Sequence, residues 1–313
     1  MKIMTGPAVL LMAYGTPNFI EEIEPYLTDI WRGRKPSPEA VEDLKRRYLK
    51  IGGGSPLLEI TREQASALEK RLRSEGVKSQ VYFGMKHWHP YISEVVPKIL
   101  DDGYDRIVGL VLAPHYSMMS IGGYKNALKE AVSSNGGLSV DFVDSWYDNP
   151  IFHQAVQEKI QGALKQFVQP ENVHLLFTAH SLPERILASK DPYPAQLEYS
   201  CRSVANLLGR KEWSFAYQSA GQTDEKWLGP DILDYLRKSQ HRISDVLAVP
   251  IGFVADHLEI LYDIDVEAQD LAQAVGVNLR RTESLNTSPT FISALTDIVQ
   301  KRMSSAGVAL RFS

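Results

Sequence analysis

Between Asp256 and Asp270 the chain carries six acidic residues and no lysine or arginine, in Asp256-His257-Leu258-Glu259-Ile260-Leu261-Tyr262-Asp263-Ile264-Asp265-Val266-Glu267-Ala268-Gln269-Asp270. Glu259, Asp263 and Glu267 recur at every fourth position. In an α-helix each such step overshoots a full turn by about 40°, so a regular helix fans the three carboxylates around its surface. A wide π-type turn realigns them, and the spacing predicts one here, because such turns concentrate at functional sites. Aligned carboxylates suit a hard or borderline divalent cation that sheds water as it is handed inward. The competing reading is a solvated acidic helix face. It is weakened because like charges at this spacing repel one another and gain nothing structurally.

An imidazole offers the complementary chemistry. His180 follows the apolar run Val173 to Ala179 and precedes Ser181, Pro183 and Glu184. At a strand end it can ligate a metal or accept a proton near neutral pH; the alternative is a hydrogen-bonded structural histidine. His180 and Glu259 are the candidate reactive pair. The other histidines carry less. His87 and His89 flank Trp88 with no third ligand at matching spacing, so no zinc site is read there. His115, in Ala113-Pro114-His115-Tyr116-Ser117, serves a loop as readily as a ligand. Tyr14, Tyr124, Trp146 and Trp227 can line an aromatic cleft, although aromatic side chains belong first to cores. Gly15-Thr16-Pro17 lacks the further glycines of a dinucleotide turn, and Gly52-Gly53-Gly54-Ser55 lacks the lysine of a phosphate loop.

The elements that must position these groups are legible as short apolar runs alternating with longer amphipathic stretches, the pattern of a mostly parallel α/β sheet. Strands are predicted at Ala8 to Ala13, Gln80 to Met85, Arg106 to Ala113 and Leu138 to Phe142, then at Val173 to Ala179, Trp213 to Tyr217, Asp245 to Val249 and Gly276 to Arg280. The two sets end alike: Leu10-Leu11-Met12-Ala13-Tyr14-Gly15-Thr16-Pro17 mirrors Leu175-Leu176-Phe177-Thr178-Ala179-His180-Ser181-Leu182-Pro183, and Ala113-Pro114-His115 is echoed by Val249-Pro250-Ile251. This weak duplication predicts two similar halves, 1–147 and 148–313, joined near Asp148-Asn149-Pro150, with a cleft at the carboxyl ends of their strands. A last helix from about Thr290 to Met303 is expected to pack back on the first half. Between Glu24 and Pro56, Pro25, Pro36, Pro38 and the glycine triplet interrupt the first crossover. From Trp31 to Lys50 this flap holds seven Lys or Arg against Glu39, Glu42 and Asp43, a local basic excess that suits an anionic ligand or a solvated helix such as Glu39 to Leu49.

Composition bounds the partners. A length of 313 residues with 44% hydrophobic content favours two domains over one core. A formal charge of -4 gives no global pull toward nucleic acid or anionic membranes. Cys201 is the single cysteine, which excludes an intrachain disulfide, a four-thiolate zinc site and a cysteine-ligated iron-sulfur cluster, and suits a reducing cytoplasm. No apolar run approaches the roughly 20 residues of a membrane span.

Taken together, Tyr14-Gly15-Thr16-Pro17, Gly84-Met85-Lys86-His87, Ala113-Pro114-His115-Tyr116-Ser117, Ala179-His180-Ser181-Leu182-Pro183, Trp227-Leu228-Gly229-Pro230 and Gly252-Phe253-Val254-Ala255-Asp256-His257-Leu258-Glu259 resemble the ferrochelatase family nearly end to end. The resemblance is to its soluble bacterial branch, which inserts ferrous iron into coproporphyrin III. It implies two Rossmann-like, chelatase-like domains, each a four-stranded mostly parallel sheet flanked by helices, with the porphyrin between them. It implies His180 and Glu259 as catalytic and metal-contacting residues, and Asp263 and Glu267 as further acids on a π-turn. Tyr14, Arg47, Tyr48, Ser55 and Tyr124 match positions that hold the macrocycle or its propionates, and Trp31, Arg32, Lys86, His87 and Trp227 complete the expected porphyrin contacts. Relatives of that branch carry arginine where this chain has Trp31, so either Arg32 or Arg34 reaches a propionate in its place or Trp31 covers the ring. Iron is then a substrate, and no tightly bound cofactor is expected. An iron donor, a haem-accepting enzyme and a monomeric state complete the expected context. The alternatives are a protoporphyrin IX ferrochelatase, a non-catalytic haem or porphyrin carrier, and a cobalt or nickel chelatase.

Overall fold

The computed structural model describes residues 6–221 and 223–305; the outermost residues of the two expected halves, 1–5 and 306–313, lie outside the described residues. Strands β1 (Ala8–Ala13), β2 (Val81–Met85), β3 (Arg106–Val111) and β4 (Ser139–Val143) form one sheet in the order β2-β1-β3-β4. Strands β5 (His174–His180), β6 (Ser214–Gln218), β7 (Asp245–Val249) and β8 (Asn278–Arg281) form a second in the order β6-β5-β7-β8. Every pairing is parallel, and both sheets share one order, so the sequence duplication is a duplication of topology. The central strands are near-continuous apolar runs because helices cover both faces; all six residues of β1 are buried.

β1 and β7 have the expected bounds, and the other expected strands shift by one or two residues at their ends, for local reasons. β3 stops at Val111 because Leu112 makes the last bond, to the Met12 carbonyl, and Pro114 has no N–H to extend the ladder. β8 starts late because Gly276, at φ +74, turns the chain and Val277 still bonds back to Ala272.

The first crossover holds α1 (Ile23–Ile30), α2 (Pro38–Lys50) and α3 (Leu57–Ser74). α2 starts on a Ser37 cap followed by Pro38 at its first position. Ile23, Val41 and Tyr48 give α1 and α2 a small core of their own, against which Leu258 packs. The basic flap therefore leans on the neighbour of Glu259. Then follow α4 (Ile92–Asp101), α5 (Ile121–Asn135), α6 (Pro150–Leu164), α7 (Tyr193–Leu207), α8 (Ile232–Ser239), the single turn α9 (Leu258–Leu261), a π-turn (Asp263–Ala268), α10 (Gln269–Ala274) and α11 (Pro289–Ser304). The π-turn falls where the fourfold acidic spacing requires one.

One hydrophobic cluster runs through both halves. It joins Val9, Leu11 and Leu110 of the first sheet to Leu175, Phe177, Leu247 and Val249 of the second, with Phe291, Leu295 and Val299 of α11 between them. α11 packs on α3 and α6. Asn149 caps α6 by accepting from the Ile151 and Phe152 amides at 3.0 Å. Among the described residues no helix is long and apolar enough to cross a membrane.

Candidate active site

A cavity of about 380 Å³ opens where the carboxyl ends of the two sheets face each other. Its walls include segments that follow strands, Tyr14 to Thr16 after β1, Lys86 after β2, Leu112, Ala113 and His115 after β3, His180, Leu182 and Pro183 from β5, and Gly252 to Ala255 after β7, together with Tyr48 and Ser55 of the first crossover and Tyr124 of α5. Two glycines permit this approach. A Cβ on Gly15, at φ +103, would lie 2.9 Å from the Trp88 amide nitrogen, and one on Gly252 would lie 2.5 Å from the Ala179 Cβ, beside His180.

Glu259 sits between two imidazoles. Its Oε1 lies 3.5 Å from His180 Nε2 and its Oε2 lies 3.7 Å from His257 Nε2. In each histidine the other nitrogen is committed: His180 Nδ1 donates to the Ser181 carbonyl and His257 Nδ1 to the Ala255 carbonyl. A carbonyl only accepts, so both Nδ1 atoms carry hydrogen and both Nε2 atoms face the carboxylate. Gln218 Nε2 fixes the Glu259 carbonyl at 2.9 Å, and the Tyr193 hydroxyl fixes that of His180, also at 2.9 Å.

Burial alone would lower the His180 pKa, but the Glu259 carboxylate and its hydrogen bond outweigh burial and push it up to about 9. Burial alone would likewise raise Glu259, yet His180 and His257 hold it well below the usual carboxylate range. About a third of each side chain still meets solvent in the open cavity, which screens the attraction without reversing its sign. In the resting pair the Glu259 carboxylate thus favours the protonated form of the imidazole.

Behind Glu259 the π-turn aims Asp263 inward. Asp263 is 6% exposed and accepts from the Ser219 hydroxyl, while Arg47 Nη1 stands 3.8 Å from its Oδ1. Ser219 reaches it from a left-handed backbone, φ 60, which a non-glycine residue adopts only at a cost. Burial and the nearby Glu259 push the Asp263 pKa up to about 7. Glu267 is exposed on the outer side of the turn. The three acids thus differ in depth: Glu259 in the cavity wall, Asp263 buried behind it and Glu267 exposed outside.

The sequence model of the ferrochelatase family matches residues 6–303. The chain belongs to the ferrochelatase family. A ferrochelatase of Herpetosiphon aurantiacus is 46% identical over 297 residues, which is 93% of this chain and 97% of that one. A coproporphyrin III ferrochelatase of Geobacillus kaustophilus is 44% identical over 305 residues, 96% of each. Among solved structures, SirB from Bacillus subtilis with Fe3+ superposes with a TM-score of 0.58 over 98% of this chain and 100% of that one. At 12% identity that likeness shows the fold alone.

Within this ferrochelatase the cavity brings together Tyr14, Tyr48, Ser55, Lys86, Tyr124, His180, Trp227 and Glu259 of the expected site. The Lys86 ammonium lies 5.9 Å from the Tyr14 ring centroid and 5.3 Å from that of Tyr124. Burial and the nearby Arg32 lower its pKa, a setting that favours an arriving anion. Burial and Glu259 hold the Tyr14 phenol above its ordinary range. Trp31, Arg32, Arg47 and His87 lie off the cavity wall. Trp31 stacks under the Arg34 guanidinium at 5.2 Å, and Arg32 is exposed. His87 packs on Tyr14 with ring centroids 4.6 Å apart and bonds Asp29 at 2.8 Å. Arg47 is turned to Asp43 at 3.0 Å and toward Asp263, so it faces the acidic line rather than the cavity. The sequence reading passed over His257, Ser219, Tyr193 and Gln218; only His257, two residues before Glu259, carried any signal.

Proposed function

We propose that this chain inserts ferrous iron into coproporphyrin III, replacing two pyrrole protons with the metal and releasing iron coproporphyrin. The observation that carries the reading is Glu259 held between the Nε2 atoms of His180 and His257 in the wall of the cavity. Metallation needs a group that takes pyrrole protons and one that delivers a cation to the ring nitrogens. His180 takes the first role and Glu259 the second. A cation arriving beside Glu259 would compete for the carboxylate that holds the His180 proton, so that proton passes to solvent in the open cavity and Nε2 is left as the free base for a pyrrole proton. Asp263, and Glu267 outside it, pass iron and protons along the same line.

Four propionates distinguish coproporphyrin from a macrocycle with two. Lys86 in the cavity wall, and the basic flap whose Arg32 lies near it, favour the more anionic ring. Relatives about 44% identical and named coproporphyrin III ferrochelatases support the same choice. We place the reaction in the cytoplasm of a monomer with no resident cofactor, supplied by an iron donor and drained by a haem-accepting enzyme.

The test compares coproporphyrin III with protoporphyrin IX under anaerobic ferrous iron. Faster conversion of coproporphyrin to the metallated spectrum is expected. Preference for protoporphyrin refutes the substrate assignment, and no acceleration of either leaves a carrier.

A further inference from the structure

The acidic segment contains no cation of its own, yet it is clamped from outside by one. Arg281, the last residue of β8, bonds both oxygens of Asp265, with Nε at 2.6 Å from Oδ1 and Nη2 at 2.7 Å from Oδ2. The same Nη2 stands 3.2 Å from Asp256 Oδ1, and Nη1 donates to the Thr282 carbonyl at 2.9 Å. Asp256 is further held by Ser284 Oγ at 2.7 Å and by Asn286 Nδ2 at 2.8 Å. Asp256 lies three residues before Glu259, and Asp265 lies inside the π-turn, two residues after Asp263. One guanidinium, mostly buried, thus grips both ends of the stretch that carries His257, Glu259 and Asp263.

The anchor is rigid. Arg281 is paired with Ala248 of β7, within the sheet. Its planar fork satisfies two carboxylates and a carbonyl at fixed angles, which a compact ammonium cannot reproduce. Without it, Asp256 and Asp265 would stand as uncompensated negative charges beside Glu259 and Asp263, in a turn whose geometry regular helix hydrogen bonding does not enforce.

We propose that Arg281 is a positioning residue for metal handling: it sets the π-turn so that Glu259 and Asp263 face inward on one line while Asp265 is held outward. The inference rests on reading this site as one that passes ferrous iron to a porphyrin. In Arg281→Gln the KM for ferrous iron should rise about tenfold. Affinity for coproporphyrin, read by fluorescence quenching, and kcat should stay within about twofold. Arg281→Lys should recover only part of the loss. Asp265→Asn should shift the iron KM in the same direction, and Arg281→Gln/Asp265→Asn should be no worse than Arg281→Gln, because members of one unit do not add.

A folded Arg281→Gln with a wild-type iron KM overturns the proposal. So does a variant in which kcat, iron KM and porphyrin affinity decline together with Tm, the signature of a purely structural residue. Should Arg281→Gln fail to fold, Asp265→Asn decides, and an unchanged iron KM there overturns the clamp. A wild-type chain that metallates no porphyrin refutes the reading of the site itself, a result distinct from any of these.

Discussion

His180 illustrates how one hydrogen bond selects a chemical role. Because Nδ1 donates to the Ser181 carbonyl, deprotonation can only free Nε2, the nitrogen that faces Glu259 and the cavity. His180→Ala should therefore reduce insertion by about 10²-fold or more, the usual worth of a positioned acid or base. Porphyrin affinity should change little, since Tyr14, Tyr48, Lys86 and Tyr124 still line the wall. Single-turnover metallation alongside porphyrin titration checks this, and near-normal turnover would remove His180 from the chemistry. His115 is a different case. It is 3% exposed, bonds Ser200 at 3.0 Å, and burial, with a smaller push from His153, lowers its pKa to about 3. The unfolded chain takes up a proton there below about pH 6.5, which the folded chain refuses until about pH 3. The stability this neutral histidine contributes is thus present above pH 6.5 and lost as pH falls, at roughly 1.4 kcal/mol per unit. Relative to His115→Gln, the wild type should lose about 2 kcal/mol between pH 6.5 and 5. Denaturant melts of both chains across that range measure it, and parallel pH slopes would contradict it.

The π-turn does at the level of an element what no single residue can. It carries its acids at different depths. Asp263 is buried against Ser219 and Arg47, whereas Glu267 is exposed. Asp263→Ala should raise the KM for ferrous iron about tenfold, and Glu267→Ala should change it by less than about threefold. An unchanged iron KM in Asp263→Ala would remove the row from metal handling. The turn was legible in advance because its acids carry a period, and periods survive in a linear text. The eight strands among the described residues were legible for the same reason, as apolar runs bounded by turn residues. What gave no signal were groups placed by tertiary geometry. Ser219 acts from a left-handed backbone after β6, Arg281 is one basic residue on an edge strand, and the side chain of Arg47 points at an acid rather than a ligand. His257 lay inside the segment that drew attention, yet only the Ala255 carbonyl on its Nδ1 shows that Nε2 faces Glu259.

Across the whole molecule, the cleft works only if the two sheets keep a fixed separation, and α11 supplies the connection. Phe291, Ala294, Leu295 and Val299 are fully buried in the cluster that contains residues of both sheets. Asn149 Nδ2 adds a bond to Asp297 at 2.7 Å, which ties the cap of α6 to the same helix. We propose, on this ground, that the boundary between 147 and 148 marks a topological repeat and not two independent folding units. The first half alone would expose to water the surface of α3, β3 and β4 on which α11 now packs. Truncation at Leu295 opens a cavity in the shared core, and Leu295→Ala should cost about 3 kcal/mol, within the usual span for a buried leucine. Since the lost contacts belong to both halves, the variant should unfold in one transition at a lower temperature, with calorimetric and van't Hoff enthalpies that still agree. Two separated transitions in the scan, with one half keeping its wild-type Tm, would instead mean that each half folds on its own and that α11 only docks them.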